Sequence, residues 1–179
     1  MKKIFSIILI ALFACGTANA QNKNAAMASS KKITENIAQA KEFSILNDGL
    51  VSTGIATKLA GKGPFTLFAV TNDGFDKTLN GTSGKLQNSD KKELLTKIIN
   101  YHIVQGKFTT QDLKEKITKS NGETSLIALN GETLKVCLVD GKLVIKDGSG
   151  NSATVVNSDV MQANGVVHVV DALLLPKAQ

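Results

Sequence analysis

The chain has no arginine, no tryptophan and a single tyrosine, and only two histidines, two cysteines and two prolines among its 179 residues. Each shortage excludes something. Arginine carries the rigid fork that grips phosphate and guanine. Without it, and with Tyr101 as the only tyrosine beside no tryptophan, the composition does not favour a nucleic-acid platform. Two histidines with no paired nucleophile and base leave little from which to assemble an enzyme. If the leader is cut after Ala20, Cys15 goes with it, only Cys137 remains and no intrachain disulfide forms; an exported domain of this kind is held by its core alone. Beyond the leader no apolar run is long enough to span a bilayer.

What the chain does have begins with a leader. "MKKIFSIILIALFACGTANA" sets Lys2 and Lys3 before an apolar run from Ile4 to Ala14, then closes on Ala18-Asn19-Ala20. This is the pattern of a secretory signal peptide over residues 1–20, with cleavage after Ala20 and a mature chain starting at Gln21. A second reading stays open. Leu12-Phe13-Ala14-Cys15 resembles a lipobox, in which Cys15 is acylated and anchors the protein to a membrane. The two readings place the chain, respectively, in the periplasm or extracellular space and on a membrane surface; the intact mass of the mature protein separates them. Losing Lys2 and Lys3 takes the net charge from +6 to +4, with 19 lysines against 15 acids. The lysines are scattered and read as an ordinary solvated surface.

Residues 21–30, "QNKNAAMASS", are small and polar, a tether. From Lys31 to Leu59 the pattern is helical: Ile33, Ile37 and Ala40, then Phe43, Leu46 and Leu50, recur at helix spacing, interrupted by Gly54 and the Gly61–Pro64 cluster. "FTLFAV" (65–70) reads as a buried strand, and Thr71-Asn72-Asp73 as the cap of the next helix. Asp90 and Glu93 suggest a capping box for a helix with the stripe Leu94, Leu95, Ile98, Ile99 and His102. Thr109-Thr110 opens another. The C-terminal half changes period. "TSLIAL", "ETLKVCLV", "KLVIK", "SATVVNSDV" and "VVHVVDALLL" are strand-like, joined by Asn130-Gly131, Asp140-Gly141, the "DGSG" of 147–150 and Asn164-Gly165, each a hairpin signal. Helices followed by an antiparallel meander, with "FTLFAV" joining the sheet, define an α+β fold.

Three segments, in this order, resemble the fasciclin domain family: "GPFTLFAVTNDGF" (63–75) its first signature box, "YHIVQGKFT" (101–109) its Tyr-His motif, and "NGVVHVVDALLLP" (164–176) its second box. Val70 departs from the proline usual in the first box. The resemblance covers residues 31–177. It implies a fasciclin-like β-wedge or sandwich with short helices packed on it, no cofactor, no catalytic site, and a role in adhesion or extracellular binding to a cell-surface or matrix protein or glycan. A periplasmic carrier of a small molecule or glycan is the alternative.

The candidate interaction residues fall in two groups. Tyr101 and His102 form the Tyr-His pair to which the resemblance attaches interaction activity in some animal members; a structural role at a helix end competes, the imidazole acting as a cation there. "NSDVM" (157–161) falls where certain animal relatives carry an integrin-recognising Asp-Ile pair. Asp159 and Val160 match that pair in kind, with Asn157 and Met161 beside them. A strand end opening into an exposed loop is the competing reading, and it predicts that Asp159 faces solvent. His168, flanked by valines, reads as a core group. "DGSGNSATVVNS" fails the calcium-loop pattern, because Ser152 and Ser158 stand where Gly and Glu are required. "AGKGPFT" lacks the Gly-Lys-Ser/Thr of a phosphate loop. Cys137 lies mid-strand with no assignable basic partner. Asn80-Gly81-Thr82 is a formal glycosylation sequon.

Overall fold

The computed structural model describes residues 27–80 and 91–177. The leader with Cys15, Asp90 of the expected capping box, and Gly81-Thr82 of the sequon lie outside the described residues. So does most of the tether, but its last part is no free linker. Asn36, buried in the first helix, accepts the Ala28 N–H at 3.0 Å and donates to the Ala28 carbonyl at 2.8 Å. Met27 packs against the core from the same side.

The helical half forms α1 (Ile33–Gln39), a 3-10 turn (Lys41–Phe43), α2 (Ser44–Ser52) and α3 (Ile55–Leu59). Gly54, at φ 76°, makes the left-handed break between α2 and α3 that its sequence position suggests. Thr71 caps α4 (Asn72–Leu79), its Oγ1 accepting from the Gly74 N–H. Two longer helices follow, α5 (Lys92–Tyr101) and α6 (Thr110–Lys119), the latter started by a reciprocal capping box between Thr109 and Asp112. The expected stripe on α5 is narrower than its letters: Leu95, Ile98 and Ile99 are buried, whereas Leu94 is exposed.

Seven strands form one sheet: β1 (Phe65–Val70), β2 (Ile103–Gln105), β3 (Glu123–Ile127), β4 (Thr133–Val139), β5 (Lys142–Lys146), β6 (Ser152–Gln162) and β7 (Gly165–Val170), in the order β2-β1-β7-β6-β5-β4-β3. From β3 to β7 the chain runs as the expected antiparallel meander. The pairing of β1 with β7 is parallel, so first and second halves of the domain are stitched together residue by residue from Phe65–Gly165 to Val70–Val170. Both strands are buried along their whole length, as parallel strands covered on two faces must be. β2, hidden within the Tyr-His segment, adds an antiparallel edge to β1. An isolated bridge between Val104 and Ala128 brings the two edge regions of the sheet together, so the sheet curls into a nearly closed wedge. The α+β expectation holds, and the helices pack against this wedge around one hydrophobic cluster.

The turn chemistry divides. Asp140 and Gly141, at φ 50° and 77°, form the expected two-residue turn between β4 and β5. Asn164-Gly165 does not. Gln162 pairs with Gly165, so Ala163 and Asn164 occupy the turn and Gly165 is already in β7. Asn164 is instead a buried hub. Its Oδ1 accepts the first N–H of α1, at Ile33, and its Nδ2 donates to the carbonyls of Leu59 and Gly61 at the end of α3.

Candidate functional site

Tyr101 and His102 close α5 and are buried. The tyrosine hydroxyl donates to the Thr133 carbonyl at 3.0 Å and accepts the Gly148 N–H at 2.9 Å, and burial raises its pKa. His102 Nδ1 contacts the Ile98 carbonyl at 2.8 Å, and its Nε2 accepts the Leu174 N–H at 3.0 Å. These partners define one tautomer: hydrogen on Nδ1, a lone pair on Nε2. The imidazole is therefore a neutral clamp joining helix end to C-terminal segment, not the cation expected at that end. Burial lowers its pKa to about 4. Ring and hydroxyl alike are engaged within the chain, as the structural role at a helix end requires.

The nearby Asp147 loop is locked to the same region. The Asp147 carboxylate accepts from the N–H groups of Ser149, Asn151 and Leu175 and from the Asn151 amide. Among the described residues, no group of three His, Cys, Asp or Glu side chains converges as a metal site. Cys137 is buried in β4, and Lys146 on the neighbouring strand is paired with Glu123 at 3.0 Å.

Asn157, Asp159, Val160 and Met161 come together in the middle of β6, a strand of 11 residues, where sequence suggested a strand end and a loop. The strand is irregular here: its register against β7 shifts between Val155 and Asn157 and again between Asn157 and Val160. Asp159 has φ 58°, a left-handed conformation that aspartate tolerates better than most residues. This bulge re-aims two groups. The Asp159 N–H reaches His168 Nδ1 at 3.3 Å, and the Asp159 carboxylate accepts the Thr110 N–H, in the first turn of α6, at 2.7 Å. His168, fully buried and stacked on Phe68 with ring centroids 5.7 Å apart, contacts the Phe108 carbonyl through Nε2 at 2.8 Å. Its hydrogen therefore sits on Nε2, and burial holds its pKa below the usual histidine range.

Asp159 and His168 thus belong to one unit tying β6, β7 and the entry to α6, and Asp159 is half-buried rather than presented to solvent. Exposure belongs to their neighbours: Val156 is 61% and Met161 36% exposed. Asp159→Ala is accordingly not neutral. It removes an anion from the helix start and puts alanine in a left-handed conformation, which together cost about 1–3 kcal/mol. Asp159→Asn, which keeps an acceptor and tolerates φ above zero, should lose less than half as much. Chemical denaturation of the two variants beside the wild type checks this; equal, negligible losses would show that the bulge does not need the side chain.

Sequence reasoning missed what surrounds the bulge. A cleft of about 230 Å³ is lined by Thr110 and Lys114 from α6, Gly141, Lys142 and Leu143 at the β4–β5 turn, and Val155 and Ser158 from β6. Two buried polar atoms among the described residues have no hydrogen-bond partner, Thr110 Oγ1 and Asn157 Nδ2, and both flank this bulge. No spacing rule links 110, 142 and 158; only the folded meander does.

A curled sheet in which parallel β1 and β7 carry the first and second sequence boxes, with helices on its faces, defines a class of domain, and comparison identifies it. The Fasciclin domain model matches residues 41–176. The chain belongs to the fasciclin domain family. It is 37% identical over 152 residues to Protein sll1483 of Synechocystis, covering 85% of this chain and 77% of that protein. It is 34% identical to stabilin-2 of Mus musculus over 67% of this chain, and 30% identical to human periostin over 82%, but spans only 4% and 16% of those proteins. Among solved structures, the FAS1 domain pair of the insect cell adhesion molecule fasciclin I superposes with a TM-score of 0.70 at 22% identity, covering 81% of this chain and 51% of that one. The fold is that of a FAS1 domain. Among the described residues no helix is long and apolar enough to cross a membrane.

Proposed function

We propose that the protein is exported through its leader and acts outside the cytoplasm as a non-enzymatic adhesion or binding domain, recognising a cell-surface or matrix protein or glycan through β6. The observation that carries this reading is the exposure of Val156 and Met161 beside a bulge that is pinned from beneath by the Asp159 and His168 contacts. Apolar side chains on a rigid support lose little conformational freedom on binding, so they suit recognition. Membership of the family supports the same role, since related domains occur in stabilin-2, periostin and an insect cell adhesion molecule. The test is adhesion of cells or envelope fractions to the immobilised full-length protein. Val156→Ser with Met161→Ser should leave the melting temperature unchanged and weaken adhesion at least several-fold. Wild-type adhesion by the double variant would move the recognition surface away from β6. A periplasmic carrier of a small molecule or glycan is the second reading, favoured by the cleft beside Ser158.

A further inference from the structure

We propose that the cleft between α6, the β4–β5 turn and β6 is a binding site for an oxyanion, the sulfate or carboxylate of an acidic saccharide. Three observations converge on it. Lys114 and Lys142 come from elements that are remote in sequence, yet both line one cleft of about 230 Å³. Neither ammonium belongs to an ion pair among the described residues, whereas Lys135 and Lys146 on the same sheet share Glu123. Two cations flanking one concavity raise its potential, and an anion held between them relieves their repulsion.

The acidic groups nearby do not supply that anion. Asp159 does not line the cleft, and its carboxylate is engaged by the Thr110 N–H. Asp140, in the turn beside Gly141, makes no ion pair with either lysine. The lining includes the hydroxyl residues Ser158 and Thr110, and Thr110 Oγ1, buried, has no hydrogen-bond partner of its own. Buried polar groups are nearly always paired, so the unpartnered Thr110 hydroxyl, on a residue that lines the cleft, points to a polar ligand or bridging group there.

Size sets the class. Such a volume holds a small anion or one substituted sugar ring and lies below the range of pockets that enclose larger ligands. Half-buried Val155 adds an apolar element to the lining, against which the carbon face of a sugar can rest. An extended polyanionic saccharide could place one ring here and continue over the lysine-rich surface, and its affinity would fall with salt.

The inference rests on the glycan-binding reading, which uses the same cleft, and its failure is distinguishable from failure of adhesion because it is tested on the purified protein without cells. Titration calorimetry would use a sulfated hexasaccharide, a uronic-acid hexasaccharide and inorganic sulfate, each at fixed ionic strength. The variants are Lys114→Gln with Lys142→Gln, and Lys58→Gln with Lys62→Gln as a control of equal charge. The expected result is saccharide binding by the wild type, weakened at least tenfold by the first pair and less than twofold by the second. Inorganic sulfate binding with the same dependence on Lys114 and Lys142, without saccharide binding, would keep the oxyanion site and assign it to the free ion. Equal weakening by both pairs would overturn the proposal in favour of diffuse charge attraction, and so would an absence of binding by all three probes. A Ser158→Ala variant adds a readout that diffuse attraction would not move, since it leaves net charge intact and should lower affinity several-fold.

Discussion

Gly165→Ala is expected to be the most damaging single-methyl change in the second sequence box, lowering stability by about 3 kcal/mol or more. A Cβ at this position would stand 1.9 Å from the Phe65 carbonyl oxygen and 2.8 Å from its carbon. The obstacle is the backbone of β1, paired in parallel with Gly165, and cannot rotate away like a side chain. Relief requires β1 and β7 to separate at the end where Asn164 accepts the Phe65 N–H through its own carbonyl. Because that junction also anchors α1 and α3 through the Asn164 side chain, the disturbance should spread to the helices. Against a total stability of about 5–15 kcal/mol for a domain, this is a large share. Gly131→Ala provides the contrast: it has φ 85° but open space around its Cβ, so only local backbone strain of about 1 kcal/mol is involved. Urea unfolding of both variants measures the difference. Equal midpoints for the two would mean that the close approach of β1 is not what glycine 165 serves.

The same glycine shows how the sequence could be read correctly and for the wrong reason. Asn164-Gly165 looks like a hairpin dipeptide, and a hairpin is there, but it turns one residue earlier and the glycine is required by a strand from the other half of the chain. Local signals reached local features: Thr71 and Thr109 as helix caps, Asp140-Gly141 as a turn, the valine run as a central buried strand. They could not reach the parallel register of β1 with β7, which joins residues about a hundred positions apart, nor β2, whose three residues leave no period to detect. The family resemblance supplied the overall architecture that periodicity alone left open. The site was less legible for a physical reason. In "NSDVM" every residue is compatible with a solvated loop, and the bulge that turns the Asp159 carboxylate towards α6 is created by a mismatch in length between β6 and β7. The Tyr-His pair was visible as a motif, but its burial depends on Thr133, Gly148 and Leu174, all distant in sequence.

Lowering the pH from 6.5 to about 4 should destabilise the domain, with His102 contributing about 3 kcal/mol of the loss. In the unfolded chain an ordinary histidine takes up a proton as the pH falls through 6.5. In the folded chain His102 resists until about 4, because burial excludes the charged ring and its Nε2 lone pair is committed to the Leu174 N–H. Between those two values the unfolded state binds more protons than the folded one, so stability falls as pH is lowered; below about 4 both states are protonated and this contribution is flat. His168 acts in the same direction, since burial lowers its pKa as well and its Nδ1 must stay unprotonated to accept the Asp159 N–H. The lowered pKa values of Asp112 and Glu123 also cause loss of stability, but below the usual carboxylate pKa, so the interval from pH 6.5 to 4.5 is governed mainly by the histidines. Both imidazoles hold backbone junctions of the β1–β7 region: His102 ties the end of α5 to Leu174, and His168 ties the β6 bulge to Phe108. Urea unfolding at half-unit steps of pH should show the decline in the wild type. In His102→Gln, whose side-chain amide can still accept the Leu174 N–H, the decline should shrink by more than half even though the variant starts less stable at pH 7. A wild-type stability that stays level from pH 7 to 4.5 would show that the two imidazoles do not resist protonation in the folded state, and with it would fall the neutral, hydrogen-bonded roles assigned to His102 and His168.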